Sequence, residues 1–186
     1  MDQRGLVERA RRGDHDAFAE LARVAVVRLD PAARLILRDA ELARDAVQDG
    51  LIRAWRDLPT LRDPDRFDAW IRRLVVRACL DELRSQRRRP MTATVSDVGH
   101  PIEPDASSAV ADQDQLERAF RRLRPEDRAI LVLRHYLDLS VPEIADALRI
   151  PLGTAKSRLH RATDELRAAL EADARLSPAY AEGPTA

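Results

Sequence analysis

The chain has 186 residues, 45% of them hydrophobic but only 4% aromatic, and its 32 basic and 32 acidic side chains cancel to a formal net charge of zero. That length suits one domain or two small ones, with cores built from Leu, Val, Ile and Ala, and the zero balance makes the distribution of charge, not its sum, the informative quantity. A single cysteine, Cys79, excludes an internal disulfide and a cysteine-based zinc cluster, and His15, His100, His135 and His160 share no metal-ligand spacing, so no metal or other cofactor is expected.

Six glycines, long three-four periodicities and no alternating strands predict an all-α protein. Residues 5–12 read as a short helix. Asp14 is a candidate N-cap for the next, whose buried face is Phe18, Leu21, Ala22, Ala25, Val26 and Leu29. Asp30-Pro31 repeats the signal of cap followed by proline and predicts a separate helix through Leu35 and Leu37.

From Asp39 or Ala40 runs the most amphipathic segment. Its inner face is Ala43, Ala46, Val47, Gly50, Leu51, Ala54, Trp55 and Leu58, and its outer face is Asp45, Gln48, Asp49, Ile52 and Arg56. An isoleucine amid acidic and amide groups suits a protein partner carrying Arg or Lys, with Ile52 as a small apolar anchor; a lone exposed apolar residue is also ordinary. Leu58 to Arg66 holds two prolines and reads as a loop. Phe67 to Gln86 is the next helix, with Phe67, Trp70, Ile71, Leu74, Val75 and Ala78 inward; that stripe assigns Trp70 to the core rather than to base stacking. Arg66, Arg73, Arg77 and Arg84 lie along one side of it. From Arg66 to Arg89 there are eight Arg against Asp68, Asp81 and Glu82, a net of +5 that suits a phosphate backbone.

Residues 90–114 change character, with three prolines, many Ser, Thr and Ala, and no helical stripe. Between Pro90 and Glu117 there are six acids and no Lys or Arg, the composition of a flexible acidic linker. Gln115 to Leu123 reads as a helix, and Pro125 opens another through Leu137 with Ile130, Leu133 and Leu137 inward; His135 and Tyr136 read as packing residues. Ser140-Val141-Pro142-Glu143 is a capping box that starts a short helix with Val141, Ile144, Ala145 and Leu148 inside. A break at Arg149 to Gly153 leads into a helix with an apolar stripe at Leu152, Ala155, Leu159, Ala162 and Leu166. The opposite side carries Thr154, Ser157 and Arg161, flanked by Arg158 and by Lys156, the chain's only lysine. A short capped helix, a tight turn and a polar-faced second helix form a helix-turn-helix, whose second helix enters the DNA major groove. Thr154, Ser157, Arg158 and Arg161 are therefore candidate DNA contacts, and Lys156 a phosphate contact. Residues 173–186 read as a tail.

The run L-R-P-E-D-R-A-I-L through G-T-A-K-S-R-L-H-R-A, Leu123 to Ala162, resembles domain 4 of bacterial sigma factors, nearest to the extracytoplasmic-function group of the sigma-70 family. Arg149 stands where that family usually has Gly, and Ala155 where it has Val. D-A-V-Q-D-G-L-I-R-A-W resembles the sigma region that docks on the β′ clamp helices of RNA polymerase, which implies contacts from Asp45, Gln48, Asp49 and Ile52. F-D-A-W-I-R-R-L-V-V-R-A-C-L-D-E-L-R-S-Q-R-R-R resembles the region that holds the melted −10 strand. The resemblance implies −10 contacts from Arg62, Arg66, Arg73, Arg77 and Arg84, and a pocket for a flipped base in the loop 58–66, where the cost of unstacking must be returned. It implies −35 recognition by Thr154, Lys156, Ser157, Arg158 and Arg161. The expected partners are core RNA polymerase, through its β′ clamp helices and β flap, and promoter DNA; anti-sigma partners are common in the group, though no residue identifies one here.

The implied organisation is domain 2 at residues 5–89, a linker at 90–114 that threads the polymerase cleft or simply tethers, domain 4 at 115–172, and a tail at 173–186. A stand-alone helix-turn-helix regulator is the alternative, although no dimer interface or sensor pocket is evident. No paired catalytic carboxylates, Ser/His/Asp set or phosphate loop suggests an enzyme. The N-terminus lacks the apolar core of a signal peptide and no apolar run could span a bilayer, so a cytoplasmic protein without direct membrane insertion is expected.

Overall fold

The computed structural model describes residues 2–88 and 108–176, and within them every regular element is helical. The front lobe comprises α1 (Gln3–Arg11), α2 (His15–Leu37), α3 (Ala40–Asp57) and α4 (Phe67–Arg88). The rear lobe comprises α5 (Ser108–Arg122), α6 (Pro125–Leu131), α7 (Val141–Leu148) and α8 (Leu152–Leu176). The acidic stretch read as a linker lies mostly outside the described residues, but α5 begins inside it, seven residues before the expected Gln115.

Local chemistry sets the helix ends. Asp2 accepts from the Arg4 N–H, Asp14 from the Ala17 N–H, and Asp39 from the Glu41 and Leu42 N–H groups at 2.9 Å each, satisfying donors that a helix start leaves orphaned. Between α2 and α3 the chain turns through Arg38, at φ 58, and the cap residue Asp39.

The expected break at Asp30-Pro31 is absent: α2 runs unbroken with Pro31 inside it. Proline removes one backbone bond and presses on the preceding turn. Here the residue four positions before it is Val27, 70% exposed, so the missing bond falls on the outer side of the helix. Beyond Pro31, Ala32, Ala33, Ile36 and Leu37 continue the buried stripe started by Ala17, Leu21 and Leu29, and that burial outweighs the local cost.

Helices α3 and α4 approach closely because Gly50 lacks a side chain. A Cβ there would lie 2.6 Å from Val75 Cγ2 and 2.8 Å from Val75 Cα. His15 and Phe18 of α2 stack around Trp55 of α3, with ring centroids at 4.4 and 5.1 Å. The expected loop 58–66 contains two 3-10 turns, Leu58–Thr60 and Pro64–Arg66, and buries Leu58, Leu61 and Pro64. Arg4 and Gln3 of α1 bind Asp65 and Asp68, fastening the first helix to the base of this loop.

In the rear lobe α6 stops six residues short of the expected Leu137. Residues Val132–Tyr136 form a π-helical turn in which the Leu137 N–H bonds the Val132 carbonyl, and the Leu139 N–H reaches Leu133. With the wider turn Val132, Leu133, Leu137 and Leu139 are all buried. Gln115 donates to the Leu170 carbonyl, and Arg118 and Arg122 pair with the buried carboxylate of Asp173, so α5 is bound along α8.

The two lobes share one continuous hydrophobic cluster, in which Ile36, Ile71 and Val75 of the front lobe join Ala129, Ile130 and Leu133 of the rear. Helix α6 lies against α2, and α7 lies against α4.

Candidate functional site

Three surfaces carry the residues singled out in the sequence. The first is the helix-turn-helix of α7 and α8. Its capping box forms as read: the Glu143 carboxylate accepts from the Ser140 N–H at 2.9 Å and the Ser140 hydroxyl at 2.6 Å, and these bonds hold its pKa below the ordinary 4.5. At the turn, Arg149 adopts the left-handed conformation, φ 54 and ψ 48, and the Ile150 N–H closes back on the Ala145 carbonyl. The turn thus forms without the glycine usual at that place. Ala155 and Ala162 of α8 are fully buried.

Thr154, Lys156 and Ser157 are exposed at the N-terminal end of α8, and Arg158 is half-buried. Lys156 and Arg158 have no ion-pair partner among the described residues. Arg161 differs from expectation. Its guanidinium does not stand free on the outer face but reaches back to the fully buried Asp127 at 2.9 Å and to Glu165 at 3.6 Å. The hydrogen bond that Arg161 donates to Asp127 raises the Arg161 pKa further above its ordinary value. Arg124 holds the other Asp127 oxygen at 2.7 Å. Asp127 is therefore a clamp that orients α8 on α6, and the sequence reading missed it. An acid in the first turn of a helix is ordinary, and only its burial shows that it requires cationic partners.

The second surface is the arginine row of α4 and the preceding loop. Arg62 and Arg66 are exposed, with Arg66 3.5 Å from Asp63. Arg84 pairs with Asp81 at 2.9 Å, which also receives Arg53 of α3. Arg73 and Arg77 point to the rear lobe, and each places a guanidinium nitrogen 3.4 Å from Asp146 Oδ2 on α7. Arg72, absent from the sequence-based set, donates to the Leu137 carbonyl at 2.8 Å. Trp70 is half-buried with its ring 6.0 Å from Phe67, in keeping with a packing role. Burial pushes the Cys79 thiol up to about 12, which makes it an inert core group.

The third surface is the outer face of α3. Asp45 and Gln48 are exposed, and Ile52 is 58% exposed between them and Arg56. Asp49 is less available, since Arg53 holds it at 2.6 Å. The face combines a projecting apolar side chain with uncommitted acidic and amide groups, an arrangement suited to a basic protein surface. Among the described residues no three side chains are grouped as a metal site would need, and no helix is long and apolar enough to cross a membrane.

Residues 27–89 match the family pattern Sigma-70 region 2, and residues 113–166 match Sigma-70, region 4. The chain is 37% identical over 154 residues to the ECF RNA polymerase sigma factor SigM of Mycobacterium tuberculosis, covering 83% of this chain and 77% of SigM. It is 34% identical over 155 residues to the RNA polymerase sigma-E factor of Streptomyces coelicolor, covering 83% and 86% of the two chains. Among solved structures it resembles CnrH, determined in complex with the cytosolic domain of CnrY, with a TM-score of 0.63, 28% identity and coverage of 92% and 98%. The fold also matches the sigma factor RpoE of Bartonella quintana, determined with the anti-sigma factor NepR, with a TM-score of 0.64, 21% identity and coverage of 84% and 98%.

Proposed function

Because this chain belongs to the sigma-70 family of RNA polymerase sigma factors, in its extracytoplasmic-function group, and so directs promoter-dependent transcription initiation with RNA polymerase, we propose how its three surfaces divide that work. The N-terminal end of α8 reads the −35 element in the major groove. The observation that carries this assignment is that Thr154, Lys156, Ser157 and Arg158 stand together at the N-terminal end of a helix anchored on its other side by the buried Ala155 and Ala162. Arg161 sits one turn further along and acts on the same element, positioned by Asp127.

Helix α4 and the loop before it take the −10 strand, with Arg62, Arg66, Arg73, Arg77 and Arg84 as phosphate contacts. The 3-10 turns at Leu58–Thr60 and Pro64–Arg66 frame the region proposed to receive the flipped base. The outer face of α3, with Asp45, Gln48, Asp49 and Ile52, docks on the β′ clamp helices, and the rear lobe meets the β flap. Residues 5–89 and 115–172 thereby act as domains 2 and 4, with residues 90–114 spanning between them. The protein works where polymerase works, in the cytoplasm. The stand-alone regulator reading finds no support in the relatives. An anti-sigma partner fits the same picture, as the complex of RpoE with the anti-sigma factor NepR illustrates; on this chain it would cover the outer face of α3, the rear lobe, or both.

Run-off transcription tests the assignment. Core polymerase plus this protein, on a genomic template library with start sites sequenced, should yield new transcripts sharing −35 and −10 sequences. Variants at Arg158 should relax the −35 consensus, and variants at Arg62 and Arg66 should lower transcript yield across start sites while the −10 consensus is kept. An unchanged set of start sites on adding the protein would refute the proposal.

A further inference from the structure

Among the described side chains, nearly every arginine pairs with an acid or donates to a backbone carbonyl, as the zero formal charge allows. The lysine and arginines that do neither fall into two groups. Arg149, Lys156 and Arg158 stand at the turn and the N-terminal end of α8, the end assigned above to the duplex. Arg11, Arg12 and Arg62 are the other group, and all three are exposed. Arg62 belongs to the loop 58–66, and helix α1 runs along that loop. Arg4 and Gln3 at the start of α1 hold Asp65 at 3.2 Å and Asp68 at 2.8 Å. Arg11 and Arg12 at its end line, with Glu8 and Pro59, an open hollow of about 350 Å³.

We propose that Arg11 and Arg12 form a further phosphate site, which carries the backbone of the DNA strand onward from the loop that takes its flipped base. This inference rests on the assignment of loop 58–66 to the −10 strand made above. Three features keep the two guanidinium groups ready for an anion. The last carbonyls of α1 are closed by the main chain: that of Arg9 accepts from the Arg12 and Asp14 N–H groups at 3.0 and 3.3 Å, and that of Ala10 from the Gly13 N–H at 3.0 Å. Neither arginine is therefore engaged in capping its helix. The acids at this end of α1 are held by other cations, Asp14 by Arg9 at 2.7 Å and Glu8 by Arg4 at 3.5 Å. The bonds from Gln3 and Arg4 fix α1 to the loop, so the cations are in place before a strand arrives. A phosphodiester oxygen facing a guanidinium fork makes charge-assisted bonds that carry no sequence information. The site thus adds affinity and salt dependence to strand binding without altering the −10 consensus.

The test uses the full chain assembled with core polymerase, and fluorescein-labelled single strands carrying the −10 sequence of the mapped start sites. Arg11→Ala/Arg12→Ala should bind them about threefold to tenfold more weakly than wild type and flatten the salt dependence by about 1.4 in log–log slope, as two phosphates of a single strand require. Arg11→Lys/Arg12→Lys keeps both charges and should restore most of that slope. Arg167→Ala removes an exposed arginine from the rear lobe and should bind as wild type does. Neutral methylphosphonates, introduced one linkage at a time, should weaken wild type at linkages to which the double alanine variant is indifferent. A wild-type slope in the alanine pair, an equal loss in Arg167→Ala, or the same methylphosphonate profile in both proteins would overturn the proposal. The assignment of the loop is judged separately by Arg62→Ala/Arg66→Ala: unchanged strand binding would defeat that assignment, and the slope of the Arg11→Ala/Arg12→Ala pair would still decide whether α1 binds the strand.

Discussion

Arg128 of α6 donates two hydrogen bonds to a single carbonyl oxygen, that of Ile36 in the last turn of α2, from Nη2 at 2.8 Å and Nε at 3.0 Å. The rear lobe therefore supplies the C-terminal cap of a front-lobe helix, where the helix dipole favours a cation. Burial and the nearby Arg38 push the Arg128 pKa down to about 10, so the group stays charged at neutral pH while only 5% exposed. Arg128→Ala should lower stability by about 2–3 kcal/mol, through lost bonds to charged donors and an opened seam. Denaturant unfolding measures the loss, and an unchanged midpoint would show that the bonds carry no net stability.

Arg149 holds φ 54 without the glycine that this turn favours. Arg149→Gly should stabilise the chain by about 1 kcal/mol, because the left-handed region strains a residue with a Cβ. The gain should appear as a raised Tm with DNA binding intact. A lowered Tm would mean that the Arg149 side chain contributes more than its backbone costs.

The free and clamped cations of α8 should separate experimentally. Without altering Tm, Lys156→Ala should weaken duplex binding on any sequence and flatten the salt dependence by about one in log–log slope, and Arg158→Ala should weaken binding to a −35 duplex more than to random DNA. Arg161→Ala should lower Tm as well, since it strips a partner from the buried Asp127 carboxylate. It should also reduce binding to a −35 duplex more than to random DNA. Equal losses on both duplexes would assign Arg161 to Asp127 alone.

On α3, Asp45→Arg and Ile52→Ala should impair pull-down of core polymerase with unchanged Tm, as both side chains are exposed. Asp49→Arg should impair association and also disturb folding, because it removes the Asp49 partner of Arg53 and sets a second cation beside the side chain that bridges α3 to Asp81 of α4. Full retention of polymerase binding in all three would remove this face from the interface.

The capping box predicts an acid-sensitive term. Glu143 is held below its ordinary pKa of 4.5, mainly by the Ser140 hydroxyl and then by the Ser140 N–H, so the folded state binds its proton less readily than the unfolded chain. Its stabilisation is present above pH 4.5 and fades as pH falls through the folded value. Wild type should therefore exceed Glu143→Gln in Tm at pH 7, and the difference should close on acidification. A constant difference across that range would show that the carboxylate charge is not what the cap uses.

Much of this could be read along the chain, because the signals are local. Asp14, Asp39 and Ser140 start helices through side-chain atoms within three residues of their targets, and the stripes of α3 and α4 repeat every three or four positions. The capping box and the polar end of α8 were visible for the same reason. Pro31 misled because its cost is local whereas its compensation, the buried run to Leu37, depends on neighbours in space. The π-helical turn at Val132–Tyr136 was hidden likewise, since it answers to the packing of Leu137 and Leu139.

What the sequence by itself determined was the all-helical class, the helix-turn-helix and the three polar faces, each a matter of spacing within one helix. Only the tertiary structure decided which of those side chains are free. Arg161 is clamped by an acid 34 positions away, Arg73 and Arg77 meet Asp146 of the other lobe, and Arg128 closes a helix 92 positions earlier. Charge pairing acts across a few ångströms of space whatever the separation along the chain, so periodicity shows which face a side chain is on and folding sets what stands opposite it.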